Sequence, residues 1–285
     1  MKKILWLLAA FTMLFSSCVT KAPENVVIKE EKPKEDPVEE VVVKTEIIDV
    51  YLISGETLKA SDGIIDGYIE YKYDEKGNLL ERVEYDGEKN QKTRMVNVLS
   101  GDNIVRTQWF SDEEETPGIY ILREYEGMNL IKEISYNIKD IPQSISSYDY
   151  DNSGNMVKWT VSTGDNVPMM ISEYDYSNGR RSKAMFLTPL GELEGYIEYS
   201  WNSENLESEK TFDSDGNLEK TVIFEYENGK LVKEIHYRKT VVDYSIEYEL
   251  DENGMAKIKK HFYRSGNLKA QWDYEYISVK KEVQL

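Results

Sequence analysis

The chain has 285 residues and a formal net charge of −18 at pH 7, from 35 Lys and Arg against 53 Asp and Glu. That balance excludes nucleic acid and anionic head groups as expected partners, since both need clustered Lys and Arg. Twenty-one tyrosines and five tryptophans favour strands, and a single cysteine rules out a disulfide framework within the chain.

Residues 1–17 read as a signal peptide: Lys2 and Lys3, an apolar run from Ile4 to Phe15, then Ser16 and Ser17. The run is shorter than the roughly 20 residues that a membrane-spanning helix needs, so cleavage is expected. Leu14-Phe15-Ser16-Ser17-Cys18 resembles the lipobox of bacterial lipoproteins, with Phe15 where a small or aliphatic residue is usual. The resemblance implies that Cys18 is the site of lipid attachment and the first residue of the mature chain. Two or three acyl chains hold a protein at a membrane firmly where one does so marginally. Val19 stands where an acidic residue would signal retention, so the implied address is the cell envelope, lipid-anchored at the outer membrane.

Residues 18–48 contain Pro23, Pro33 and Pro37 among mixed Lys and Glu. Such a segment buries too little apolar area to offset its ordering entropy, and it reads as a charged tether. Residues 49–285 read as one β-repeat domain. Turn glycines recur at Gly77, Gly101, Gly127, Gly154, Gly179, Gly191, Gly216, Gly229, Gly254 and Gly266, spaced near 25 residues early in the chain and near half that later. One register explains both spacings if every second early turn has lost its glycine.

In Tyr73-Asp74-Glu75-Lys76-Gly77-Asn78-Leu79, Asp74 is placed to accept from the amides ahead of it and Gly77 to adopt a left-handed conformation. That is a hairpin loop with a bulge, whereas Asn228-Gly229 fits a two-residue type I′ turn. Between turns the pattern alternates. Ile69, Tyr71 and Tyr73 share a face that is expected to continue through Leu79, Val83 and Tyr85, with Glu70, Lys72, Arg82 and Glu84 opposite. Roughly 16 to 18 antiparallel strands follow from the turn spacing. The expected fold is all-β: a long antiparallel meander of hairpins forming one extended, twisted or curled sheet. Tyr-Asp-x-x-Gly-Asn-Leu is similar to the YD repeats of the Rhs family over about residues 60–276. The resemblance implies hairpins laid side by side in a curling sheet. The toxin activity of longer family members does not carry over.

Candidate chemistry is sparse. His236 and His261 lack a third metal-ligand motif, and no G-x-S-x-G elbow accompanies them. Asp213-Ser214-Asp215-Gly216-Asn217 lacks the downstream bidentate Glu of a calcium loop, and Glu113-Glu114-Glu115 reads as a solvated loop. No catalytic, cofactor or metal residue is assigned, and no cofactor is expected. Tyr148, Tyr150, Trp159, Tyr174 and Tyr176 gather in mid-chain as either core or an aromatic wall. The functional expectation is a non-enzymatic envelope lipoprotein that binds a protein or glycan partner. The alternatives are a transport factor shielding a lipid or apolar ligand in a curled sheet, and a hydrolase.

Overall fold

The computed structural model describes residues 45–284 other than Glu113; the expected signal peptide, Cys18 and most of the tether lie outside the described residues. Strands occupy nearly all of it: β1 (Thr45–Ala60), β2 (Ile65–Tyr73), β3 (Leu79–Asp86), β4 (Gln91–Ser100), β5 (Asn103–Ser111), β6 (Ile119–Glu126), β7 (Asn129–Asn137), β8 (Pro142–Tyr150) and β9 (Met156–Thr163). The second half adds β10 (Pro168–Ser177), β11 (Arg180–Leu187), β12 (Leu193–Asn202), β13 (Asn205–Asp213), β14 (Leu218–Glu227), β15 (Lys230–Arg238), β16 (Val241–Leu250), β17 (Ala256–Tyr263) and β18 (Leu268–Gln284).

Each strand pairs antiparallel with the next, and β1 pairs with β18 from Thr45↔Gln284 to Ala60↔Ala270. That last ladder overturns the expectation of an open or merely curled sheet: the meander closes into an 18-stranded barrel. The physical reason is that strand twist and tilt bring the last strand round to the first, and pairing them removes both sheet edges. With strands roughly 4.8 Å apart and tilted by about 40°, a circular barrel of this strand number has a backbone diameter on the order of 35 Å, which leaves on the order of 15–20 Å between the inward side chains.

The turns are built as the residues dictate. Asp74 Oδ1 accepts from the amides of Lys76 (2.9 Å) and Asn78 (2.8 Å), and its Oδ2 accepts from Asn78 Nδ2 (2.9 Å). Gly77 has φ +83°, and the same contacts recur around Asp151 and Asp213. The early turns that lack the glycine keep its conformation on Lys89 (φ 68°), Asp140 (φ 58°) and Asn166 (φ 62°). Asn228 and Gly229 both have positive φ, as a type I′ turn requires.

Bulges at the turns correct the face assignment. The register shifts between Lys72 and Tyr73, after which Tyr71 pairs with Arg82 and Ile69 with Glu84. Arg82 and Glu84 therefore share the face of Tyr71, and Val83 and Tyr85 lie on the other. One inserted residue exchanges the two faces of everything beyond it.

Candidate functional site

In a closed barrel one face of every strand is concave, and here its side chains are the more crowded. Along β14, Val222, Phe224 and Tyr226 on that face are half-buried while Ile223, Glu225 and Glu227 opposite are exposed, and Arg123 and Glu133 are 16% and 17% exposed. The opposite face is covered locally, at Glu81, Val83 and Phe110. The outer wall carries cross-strand ion pairs round much of the barrel: Lys72–Glu81 (2.7 Å), Lys132–Glu124 (3.2 Å), Lys158–Glu173 (3.5 Å), Lys233–Glu247 (2.9 Å) and Lys260–Glu249. A lipid-facing barrel needs an unbroken apolar band, with a cost of about 2–4 kcal/mol for each Lys or Arg at the midplane. The ion pairs interrupt any such band. Among the described residues no helix is long and apolar enough to cross a membrane.

The inner wall has a belt of nine cross-strand pairs, recurring at roughly 25-residue spacing. In chain order of the leading strand they are Tyr71/Arg82, Asn97/Thr107, Arg123/Glu133, Tyr148/Trp159, Tyr174/Ala184, Tyr199/Glu209, Phe224/Glu234, Tyr248/Lys259 and Tyr274/Glu56. The leading member is aromatic in seven of the nine, and most of their partners are charged or polar. A ligand in the lumen therefore meets flat rings alternating with hydrogen-bonding groups.

Beside the belt, toward the rim that carries both termini, a second device repeats. Several ladders stop short of that rim, leaving a backbone carbonyl to be satisfied. Tyr73, Tyr125, Tyr150, Tyr176 and Tyr276 donate their hydroxyls to the carbonyls of Ile53, Ile104, Leu130, Met156 and Ala256 at 2.7–2.9 Å. Trp201 Nε1 does the same for Arg181 O (2.8 Å), and Asn97 Nδ2 for Leu79 O (3.0 Å). The tyrosine of the repeat thus closes the ladder and the aspartate after it closes the turn.

Electrostatics divide the belt. Tyr71 donates to Glu56 (2.5 Å), and burial and that carboxylate push its hydroxyl up to about 12. Burial also raises Tyr148, whose hydroxyl donates to Glu133. Burial and the neighbouring Glu234 hold the Glu209 carboxyl above its ordinary range. Burial alone would raise Glu234 too, but hydrogen bonds from His236 Nε2 (2.9 Å) and Tyr248 Oη (2.6 Å) outweigh it and bring the carboxyl below its ordinary value. The two carboxyls stand on β13 and β15, on either side of the β14 strand that carries Phe224.

The mid-chain aromatics all lie on the inner wall. Tyr148 and Trp159 stack with centroids 6.4 Å apart, Tyr174 lies in the belt, and Tyr150 and Tyr176 are rim tyrosines. His236 and His261 are brought together by Tyr244, stacked at 4.1 Å on the first and tilted at 4.8 Å against the second. Burial and the nearby Lys269 lower the pKa of His261. Among the described residues no three His, Cys, Asp or Glu side chains gather as metal ligands. Cys18 falls outside the described residues. The belt itself was missed by sequence reading, although its signal was available: Tyr148, Tyr174, Tyr199 and Phe224 keep the repeat spacing.

No family model matches the chain, and no curated protein does. Similar solved structures include a porin-like protein from Bacteroides uniformis, with 10% identity and a TM-score of 0.41, covering 79% of this chain and 98% of that one. A porin-like protein from Bacteroides vulgatus gives 11% identity and a TM-score of 0.31 over 79% and 98%. A Tc holotoxin pore of Photorhabdus luminescens gives 11% and 0.22 over 74% of this chain and 14% of that one. Likeness at this level assigns neither family nor function.

Proposed function

We propose that the protein is a non-enzymatic binding module of the cell envelope, anchored by lipid on Cys18, and that its barrel takes a glycan into the lumen. The observation that carries this reading is the belt of inward aromatics at seven of nine repeat positions, interleaved with charged and polar groups. Sugar rings stack their C–H faces on aromatic rings while their hydroxyls exchange hydrogen bonds with flanking polar groups. A lipid chain would want the opposite, an unbroken apolar strip, and the belt interrupts any such strip with Arg82, Glu209, Glu234 and Lys259. The charged outer wall supports attachment by an anchor and not by immersion of the barrel.

Tryptophan fluorescence of the full chain tests the proposal, because the four tryptophans of the barrel, Trp109, Trp159, Trp201 and Trp272, share the face of the belt or its rim. Titration with a panel of neutral and acidic oligosaccharides is expected to give a saturable shift in emission. No shift with any oligosaccharide overturns the glycan reading.

A further inference from the structure

The inner wall from β9 to β11 holds an excess of hydrogen-bond donors. Trp159 Nε1, Ser172 Oγ and Arg181 Nε are buried there without a hydrogen-bond partner, and Ser172 is 0% exposed. Trp159 and Ser172 stand directly opposite each other, and Tyr174 follows Ser172 on the same face. Ala184, opposite Tyr174, leaves room that the Arg181 side chain enters, its guanidinium carbon 4.1 Å from the Tyr174 ring centre. Indole and guanidinium nitrogens only donate, so what would complete this wall is an acceptor.

Arg181 also lacks a counter-ion. Arg82, Arg94, Arg123 and Arg238 each pair with a carboxylate, whereas Arg181 has none among the described residues. It is held by tyrosines instead: Nη2 reaches Tyr176 Oη at 3.5 Å, the outer limit of a hydrogen bond. Burial opposes its charge, which the Tyr176 hydroxyl then supports. The nearby acid, Glu209, lies across Tyr199, and burial favours its neutral form. The remaining buried unpartnered donor, Arg106 Nε, is on the outer wall, where its guanidinium stacks on Tyr120 at 4.3 Å.

We propose that this sector is an anion subsite, in which Arg181 takes the carboxylate of an acidic sugar held against the neighbouring tyrosine rings. The proposal rests on the lumen being the glycan site. A planar carboxylate matches the guanidinium fork, and a charge-assisted pair replaces the long Tyr176 contact at little loss. The guanidinium is already withdrawn from water in the free protein, so pairing costs only the dehydration of the incoming carboxylate.

The test is titration of the full chain with an oligogalacturonate and with its neutral galactose counterpart, followed by tryptophan emission. The acidic oligosaccharide should bind about tenfold more tightly, the effect of one charge-assisted hydrogen-bonded pair. Arg181→Gln should abolish that difference while keeping the neutral ligand's affinity, and Arg181→Lys, which keeps charge but loses the fork, should recover only part of it. Equal binding of the two oligosaccharides to the wild-type chain overturns the subsite and leaves the glycan reading standing; no binding of either overturns both. An acid preference that survives in a folded Arg181→Gln chain, its melting curve matching wild type, also overturns the subsite.

Discussion

Two sectors of the same inner wall treat buried polar groups in opposite ways. From β3 to β8 they form one chain of hydrogen bonds: Asn97 to Leu79 O, Thr107 to Asn97 (2.7 Å), Arg123 to Thr107 (2.5 Å) and to Glu133 (2.7 Å), and Tyr148 to Glu133. From β9 to β13 the aromatic belt is intact, yet Trp159, Ser172 and Arg181 each keep an unpartnered buried atom. The first sector is complete in itself and specifies the wall. The second is incomplete, which is what a wall built to receive a ligand looks like.

The sharpest way to break that comparison is to remove a cation from each sector. Arg123→Ala leaves Glu133 as a carboxylate shielded from water with only the Tyr148 hydroxyl and no cation, and should cost about 3 kcal/mol in urea unfolding. Arg181→Gln removes a buried charge that has no counter-ion, and should cost less than about 1 kcal/mol. Equal losses would mean that both sectors serve only the fold.

Turns supply a second contrast. Gly77 and Gly154 both sit at positive φ, +83° and +80°, so any side chain is strained at either. A Cβ at Gly77 would also meet Leu52 Cδ1 at 3.1 Å and Val279 Cγ2 at 3.2 Å, where the β1–β18 ladder passes the turn; at Gly154 it meets nothing within 4 Å. Gly77→Val is expected to cost about 2–3 kcal/mol by thermal melting, Gly154→Val about 1 kcal/mol, and Asn78→Ala less than Gly77→Val.

Those turns also mark how far the fold was legible. Asp-x-x-Gly-Asn carries its own hydrogen bonds within five residues, so Tyr73–Leu79 can be read without the rest of the chain, and the strand positions follow. Closure could not be read in that way, because it depends on Thr45–Ala60 meeting Leu268–Gln284, a pairing between chain ends that leaves no local pattern. The faces failed at a definable place: counting by twos through the bulge at Lys72/Tyr73 put Arg82 and Glu84 outside when they belong in the lumen. The aromatics at Tyr148, Trp159 and Tyr174 were visible as a cluster, but the belt that gives them meaning includes Asn97, Thr107 and Arg123, which resemble the other members only in position.

Acidity separates the two belt carboxyls Glu209 and Glu234. The folded pKa of Glu209 is raised by burial and by Glu234. A carboxyl shifted upward contributes its full stability below its unfolded value and loses it as pH rises through the folded value. Glu209→Gln should therefore melt above wild type near pH 7, with the gap closing at about pH 4, where the wild-type carboxyl is largely protonated in both states. Glu234 is shifted downward by His236 and Tyr248, so Glu234→Gln should lower the melting temperature near pH 7 and lose its effect as pH falls through the folded value. Matching pH profiles for the two variants would remove the distinction.

The smallest effect belongs to the rim, where the repeat's tyrosine closes a ladder. Tyr150→Phe keeps the ring and removes the bond to Leu130 O (2.8 Å), leaving a half-buried carbonyl to find water; the expected cost is about 1 kcal/mol. At β15–β16 the equivalent rim residue is Leu250, which has no such hydroxyl, so the barrel already tolerates one position without the bond. Installing it there, as Leu250→Tyr, should gain a fraction of what Tyr150→Phe loses, provided that the new phenol reaches Leu231 O. If Tyr150→Phe leaves the urea midpoint unchanged while Leu250→Tyr raises it, the tyrosines of the repeat hold the rim by packing of their rings, and the hydroxyl contributes nothing to closing the ladders.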